Sequence, residues 1–447
     1  MPALTRRSII AQAWPIMIGQ VTVPLVGVAD TVVIGRTGDA AALAGVALGT
    51  TIVTFLFWSF GFLRMGMTGL TAQAQGARDR AEVEALLARG LMIGGAAGLA
   101  LLALQALVIP LALLLFAGSD ALDAQARAFM AMRLWGAPAS LALYAISGWL
   151  LGLGRTRSAL AVQLILNLVN IALDVWLVWG WHLGAAGVGL GTACAEWIAL
   201  AAGLVIVVRV AGPGVIARLR DGWPRIVGRA ALRRLVAVNA DIMIRTIALL
   251  LLFGWFTNAG ARLGATQLAA NQLLMQFVAV AAFVLDGFCF TTEARVGQAI
   301  GAGDAATMRR AIRLTGEFAL LSGIGFALIT LLAGPALIDA MTPNPAIRSA
   351  AIAFLAYAAL VPVIGMPAWL LDGVFIGATA GRALRNAGVL ATIAYIATDL
   401  VLRRWGASGA WAALLAGYGW RAAALGVYLP GLFARVGAPL APGARAT

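Results

Sequence analysis

The chain has 447 residues, of which 62% are hydrophobic and only 11% charged. Soluble domains carry about 25% charged residues, and a soluble protein this apolar could not cover its surface with polar atoms, so lipid is the solvent. The net charge of +14 suggests nucleic acid at first, but the placement of the arginines along the chain argues against it.

Apolar runs lie at 11–34, 43–69, 87–116, 128–151, 159–181 and 186–208, and again at 232–257, 267–294, 314–340, 350–376, 384–402 and 408–433. A membrane span needs about 20 apolar residues. The runs therefore predict twelve helices, six in each half. The first is no cleavable signal, being too long, carrying Pro15, Pro24 and Asp30, and preceding many further spans. The chain has no lysine, so all 32 basic residues are arginine. Twenty-two fall at the termini or in alternate loops, seven of them between Arg209 and Arg234. The intervening loops hold seven (Arg36, Arg127, Arg133, Arg262, Arg348, Arg403, Arg404), and Arg64, Arg245 and Arg421 fall within spans. That bias orients both termini to the cytoplasm.

QAQGARD at Gln73 to Asp79 returns as QAIGAGD at Gln298 to Asp304, 225 residues later. The same shift carries Gly148, Gly152, Arg157, Asp174 and Gly184 onto Gly373, Gly377, Arg382, Asp399 and Gly409. One offset held so long marks a duplicated unit. The expected organisation is a first lobe at 1–208, an arginine-rich linker at 209–231 and a second lobe at 232–447. An even number of spans per copy makes the repeat parallel, with its axis along the membrane normal and a cleft between two six-helix bundles. The 53 glycines suit close helix packing in lipid. The run GVGLG at 187–191 opens a span without any βαβ context, so it reads as packing and not as a dinucleotide loop. Cys194 and Cys289 read as small core residues.

Carboxylates inside spans cost about 3 kcal/mol each and so mark function by default. At about 1.5 Å per residue, Asp30 lies about 28 Å from the inner edge and Asp174 about 22 Å, both in the outer half with Thr192 and Glu196. Gln163, Asn167, Asn170 and Asp174 follow one another at helical spacing and form a polar stripe on the fifth span. Asp30, Asn170, Asp174 and Thr192 could then enclose a small cation or share a proton. Two carboxylates in a dry pocket disfavour double ionisation, so one tends to hold a proton. A purely structural polar network is the alternative for these residues, and for Glu196 it weighs as heavily as function. In the second half Asp241 and Arg245, Asp286 and Glu293, and Asp372 lie in the inner half, as does Arg64. These read as a salt-bridge network closing the cytoplasmic side, with a second cation site at Asp372 as the lesser alternative. Asp399 lacks the amide stripe of its repeat mate and is expected to pair with Arg421.

The stretches PLVGVADTVVIGRTGDAAALAGVALG (24–49), FWSFGFLRMGMTGLTAQAQGARD (57–79) and NQLLMQFVAVAAFVLDGFCFTTEARVGQAIGAGD (271–304) resemble the multidrug and toxic compound extrusion (MATE) family, the last its DinF-like branch. The resemblance implies an all-α, twelve-helix, two-lobed antiporter. Such proteins export organic, often cationic, compounds against inward H⁺ or Na⁺ flow. It implies proton uptake at Asp30, Asn170, Asp174 and Thr192, cavity reshaping by a bend at Pro15, and a match of Asp372 to an acid used for Na⁺ coupling in another branch. That branch's helix 7 glutamate has no counterpart here, which favours protons in the first lobe.

The leading expectation is a proton-coupled multidrug exporter. A flippase or exporter of lipid-like or endogenous metabolites, or a Na⁺-coupled antiporter, stands as the alternative. An enzyme lacks support, because the single histidine, His182, lies in an outer loop and no HExxH or GxSxG motif occurs. Without lysine there is no Walker A pump in this chain, and a dependence on the proton gradient would exclude a passive channel. The expected setting is a multi-pass protein of a bacterial cytoplasmic membrane. It should act as a monomer, with small organic substrates and membrane lipid as partners and no cofactor beyond H⁺, or Na⁺ as the alternative.

Overall fold

The structure, a computed structural model, describes residues 4–114 and 119–437 and contains no strand among them. Among the described residues twelve long helical segments follow in chain order. They are α1 (Arg6–Gly35), α2 (Ala40–Gly76), α3 (Arg80–Ala103), α4 (Asp120–Gly152), α5 (Thr156–Gly180) and α6 (Gly184–Ala211), then α7 (Arg229–Arg262), α8 (Ala265–Gly301), α9 (Ala305–Met341), α10 (Pro345–Gly377), α11 (Gly381–Leu402) and α12 (Gly406–Gly437). The first ten contain stretches long and apolar enough to cross a membrane. The last two, of 22 and 32 residues, dilute their hydropathy with Arg382, Arg385, Asp399, Arg421 and Arg435. Every predicted span falls on one of these helices, with α3 continued by Gln105–Leu114; residues 115–116 of the third span lie outside the described residues. Side chains such as Leu332, Val427 and Val401 are left exposed, an outer surface that only lipid can solvate.

The helices start where short polar side chains can satisfy the free N–H groups of a first turn. Asp39, Asp79, Ser119, Asp304 and Asn344 each accept such a bond at the head of a helix. The repeated QA-x-GA-x-D motif now has a physical meaning. Its sixth residue takes a left-handed backbone (Arg78 φ 60°, Gly303 φ 69°) and its Asp caps the next helix.

Contacts divide the chain into two units. One comprises Met1–Met17, Ala72–Arg78 and Ala237–Thr447, the other Ile18–Thr71 and Asp79–Val236. Helix α1 passes from one to the other two residues after the buried Pro15, and it is helical without a break from Arg6 to Gly35. In the first unit Ile9 and Ala13 pack against Leu285 and Phe288 of α8 and Ala311 and Leu314 of α9. The two motif copies also meet there, backbone to backbone. A Cβ on Gly76 would lie 2.0 Å from the Gln298 carbonyl oxygen, and one on Gly301 1.9 Å from that of Gln73, so only glycine fits.

Four helix pairs pack alike in the two units. In the second unit α2 packs on α4, α3 on α4, α4 on α6 and α5 on α6; in the first, α8 packs on α10, α9 on α10, α10 on α12 and α11 on α12. The arginine-rich segment after α6 is part of the second unit and is held to the start of α3. Arg218 binds Glu84, and Arg225 binds Asp79 and Glu82. The fully buried Arg89 ties Glu82 to the carbonyls of Arg225 and Ile226.

Candidate functional site

The polar stripe of α5 faces inward in the second unit, as an amphipathic helix in lipid must. Gln163 donates to Asn167 at 2.9 Å, and Asn167 donates to Thr22 of α1 at 2.8 Å. One turn further on, the Asn170 amide nitrogen donates both to Asp174 at 3.1 Å and to Thr192 of α6 at 3.0 Å. The carboxyl of Asp30 on α1 is in hydrogen-bonding contact with that of Asp174, which is wholly buried. Asp30, Asn170, Asp174 and Thr192 thus form one cluster on α1, α5 and α6. Among the described residues no donor reaches Asp30 Oδ1, Asp174 Oδ1 or Asn170 Oδ1. A carboxylate accepts hydrogen bonds and donates none, so two carboxyl groups in contact need a proton or cation between them. Gly191 lets α6 come close to Asp174, because a Cβ there would stand 2.1 Å from Asp174 Oδ1. The close packing of α6 thereby accounts for part of the GVGLG run, with Gly189 set against the Phe129 carbonyl.

Glu196 lies one turn beyond Thr192 and does not hydrogen-bond the cluster directly. It forms a buried bidentate pair with Arg133 of α4, at 2.6 and 2.7 Å. Arg133, expected among the loop arginines, lies inside α4, 9% exposed, with its guanidinium over the Phe57 ring. The available signal was its position inside the predicted span 128–151, where a buried charge needs a partner. Thr22 was also missed, since a lone hydroxyl in an apolar run has no periodicity to reveal it.

Asp241, Asp372 and Asp399 take different partners within the first unit. Asp372 of α10 is bound by both Arg245 of α7 and Arg421 of α12, so its carboxylate is occupied by two guanidinium groups. Asp241 pairs with Arg385 of α11 at 2.8 Å, not with its helix neighbour Arg245. Glu293 is fully buried on α8, and Asp286 is half-buried two turns earlier. The expected pairing of Asp399 with Arg421 is wrong. Arg421 reaches Asp372, and Asp399 instead accepts from Trp255 Nε1 at 2.9 Å and from Arg262 at 3.1 Å. Arg64 belongs to the second unit, half-buried on α2, with its carbonyl 2.4 Å from where a Gly148 Cβ would lie.

The MatE family profile matches residues 15–176 and 242–401, one stretch in each copy of the repeat. DNA damage-inducible protein F of Escherichia coli (strain K12) is 40% identical over 408 residues, covering 90% of this chain and 87% of that protein. A probable multidrug resistance protein NorM of Pseudomonas putida is 28% identical over 418 residues, covering 92% and 88%. Among solved structures, the Vibrio cholerae MATE transporter VcmN in its bent form superposes with a TM-score of 0.85 at 17% identity, over 96% of this chain and 97% of that one.

Proposed function

Because the chain belongs to the MatE family, we propose that this multi-pass membrane transporter is a secondary active multidrug exporter that exchanges organic, often cationic, compounds for protons. The observation that carries the coupling is the contact between Asp30 and Asp174. A proton entering this pair relieves the repulsion of two carboxylates and joins α1 to α5. A proton leaving removes that link and favours separation. Asn170 orients Asp174 and ties it to Thr192 on α6, so the change at α1 is referred to a fixed pair of helices. Pro15 removes one backbone bond from α1 just before the residue at which that helix changes units, where bending costs least.

Carboxylate, amide and hydroxyl oxygens also suit Na⁺. What favours protons is that among the described residues no ion pair ties up Asp30 or Asp174, with Arg133 held by Glu196, while Asp372, the acid matched to Na⁺ coupling, is bound by two arginines. The arginine bias supports both termini lying in the cytoplasm, with a bacterial inner membrane as the setting. The test is efflux of ethidium from proteoliposomes with a pH gradient or a Na⁺ gradient imposed separately. Wild type should respond to the pH gradient, and Asp30→Asn and Asp174→Asn should each fall to the level of empty liposomes. Unchanged efflux in both variants at equal reconstitution would refute the assignment. Lipid movement without ethidium movement would point to the flippase reading.

A further inference from the structure

The two halves equip the same pair of positions differently. Helices α2, α3, α4 and α5 begin at Ala40, Arg80, Asp120 and Thr156, and α8, α9, α10 and α11 at Ala265, Ala305, Pro345 and Gly381, each 225 residues later. The offset seen in the sequence is therefore also the offset of the helices. It matches Asp174 with Asp399, Asn170 with Tyr395, and Asp30 with Trp255.

The matched side chains meet in both units. In one, Asp30 contacts Asp174. In the other, Trp255 donates its indole N–H to Asp399 at 2.9 Å. Asp399 is 1% exposed and its same oxygen accepts from Arg262 at 3.1 Å, with Arg403 at 3.7 Å. The Arg262 guanidinium also lies over the Trp255 ring, 5.9 Å from its centroid. The counterparts of these arginines in the first copy are Thr37 and Val178, neither of them charged. An indole N–H is a donor only, and a guanidinium keeps its charge in proteins. A carboxylate held by both has its charge met by groups that cannot leave.

We propose that Trp255 and Arg262 fill the second half's copy of the ion site with fixed donors, confining ion uptake, and the helix movement it drives, to α1 and α5. The helix pair α7 and α11 is then permanently tied at Asp399, whereas α1 and α5 are joined only when the coupling ion is present. The assignment rests on the proton-exchange reading above, and its own failure can be told apart from the failure of that reading.

The experiment measures ethidium transport and proton flux together in proteoliposomes of the full-length protein under an imposed pH gradient. Asp399→Asn and Trp255→Phe are expected to keep gradient-driven transport and the wild-type ratio of protons to ethidium, while Asp174→Asn abolishes both. If Asp399→Asn does not fold, Asp399→Asn combined with Arg262→Gln removes the charge pair together and carries the same expectation. Loss of gradient drive, or a lower proton ratio, in a folded Asp399 variant would overturn the confinement. Retention in the Asp174 variant as well would instead defeat the proton-site reading, and the inference with it.

Discussion

The buried pair of Arg133 and Glu196 gives a quantitative test of how this bundle tolerates charge. Both side chains are largely buried, 11% and 5% exposed, and joined by two bonds of 2.6 and 2.7 Å. Two unit charges about 4 Å apart interact by about 4 kcal/mol at an effective dielectric constant of about 20. Glu196→Leu removes one partner and leaves the guanidinium buried against Phe57 without its hydrogen-bonded counter-ion. The expected cost is about 3–5 kcal/mol. At about 2–4 °C per kcal/mol for a unit of this size, the apparent Tm should fall by roughly 10 °C. Arg133→Met combined with Glu196→Leu should recover most of that loss, because replacing a buried ion pair with apolar side chains is close to neutral. Thermal unfolding of the detergent-purified wild type, both single variants and the double variant completes a mutant cycle. A Glu196→Leu variant losing less than about 1 kcal/mol, or a double variant no more stable than the single ones, would show that the pair does not hold α4 to α6 in this way.

Two further outcomes follow from the repeated motif. Gly76→Ala and Gly301→Ala should each sharply reduce the folded protein recovered from membranes, because each Cβ would stand about 2 Å from a backbone oxygen that cannot move aside; normal yields by fluorescence-detected size exclusion would refute this. Asp304→Ala should cost about 1 kcal/mol at neutral pH as a lost helix cap. The Thr307 hydroxyl and N–H hold the Asp304 carboxyl below its usual range, so the cap's electrostatic contribution is present above the ordinary carboxylate range and fades as pH falls through the lowered value. The Tm gap between wild type and variant should therefore narrow in acid, and a gap that widens would show the sign to be wrong.

By itself the sequence determined the number of helices, their places in the chain, the duplication, and the inward stripe of Gln163, Asn167, Asn170 and Asp174. Each of these is a property of one helix or one offset: hydrophobic run length, spacing of about 3.6 residues, identity at a fixed shift. Partners were not legible in the same way. Periodicity says which face of α12 carries Arg421, but not that its reach ends at Asp372 and leaves Asp399 to Trp255 and Arg262. It also could not show that Arg133 turns inward to Glu196, or that α1 divides its contacts between two units after Pro15. Those outcomes depend on the rotation and axial shift of each helix against its neighbours. Small residues such as Gly136, Gly189 and Gly191 set these jointly by deciding how closely two backbones approach. Local pattern fixes a helix and its polar face; only packing decides which charge that face meets.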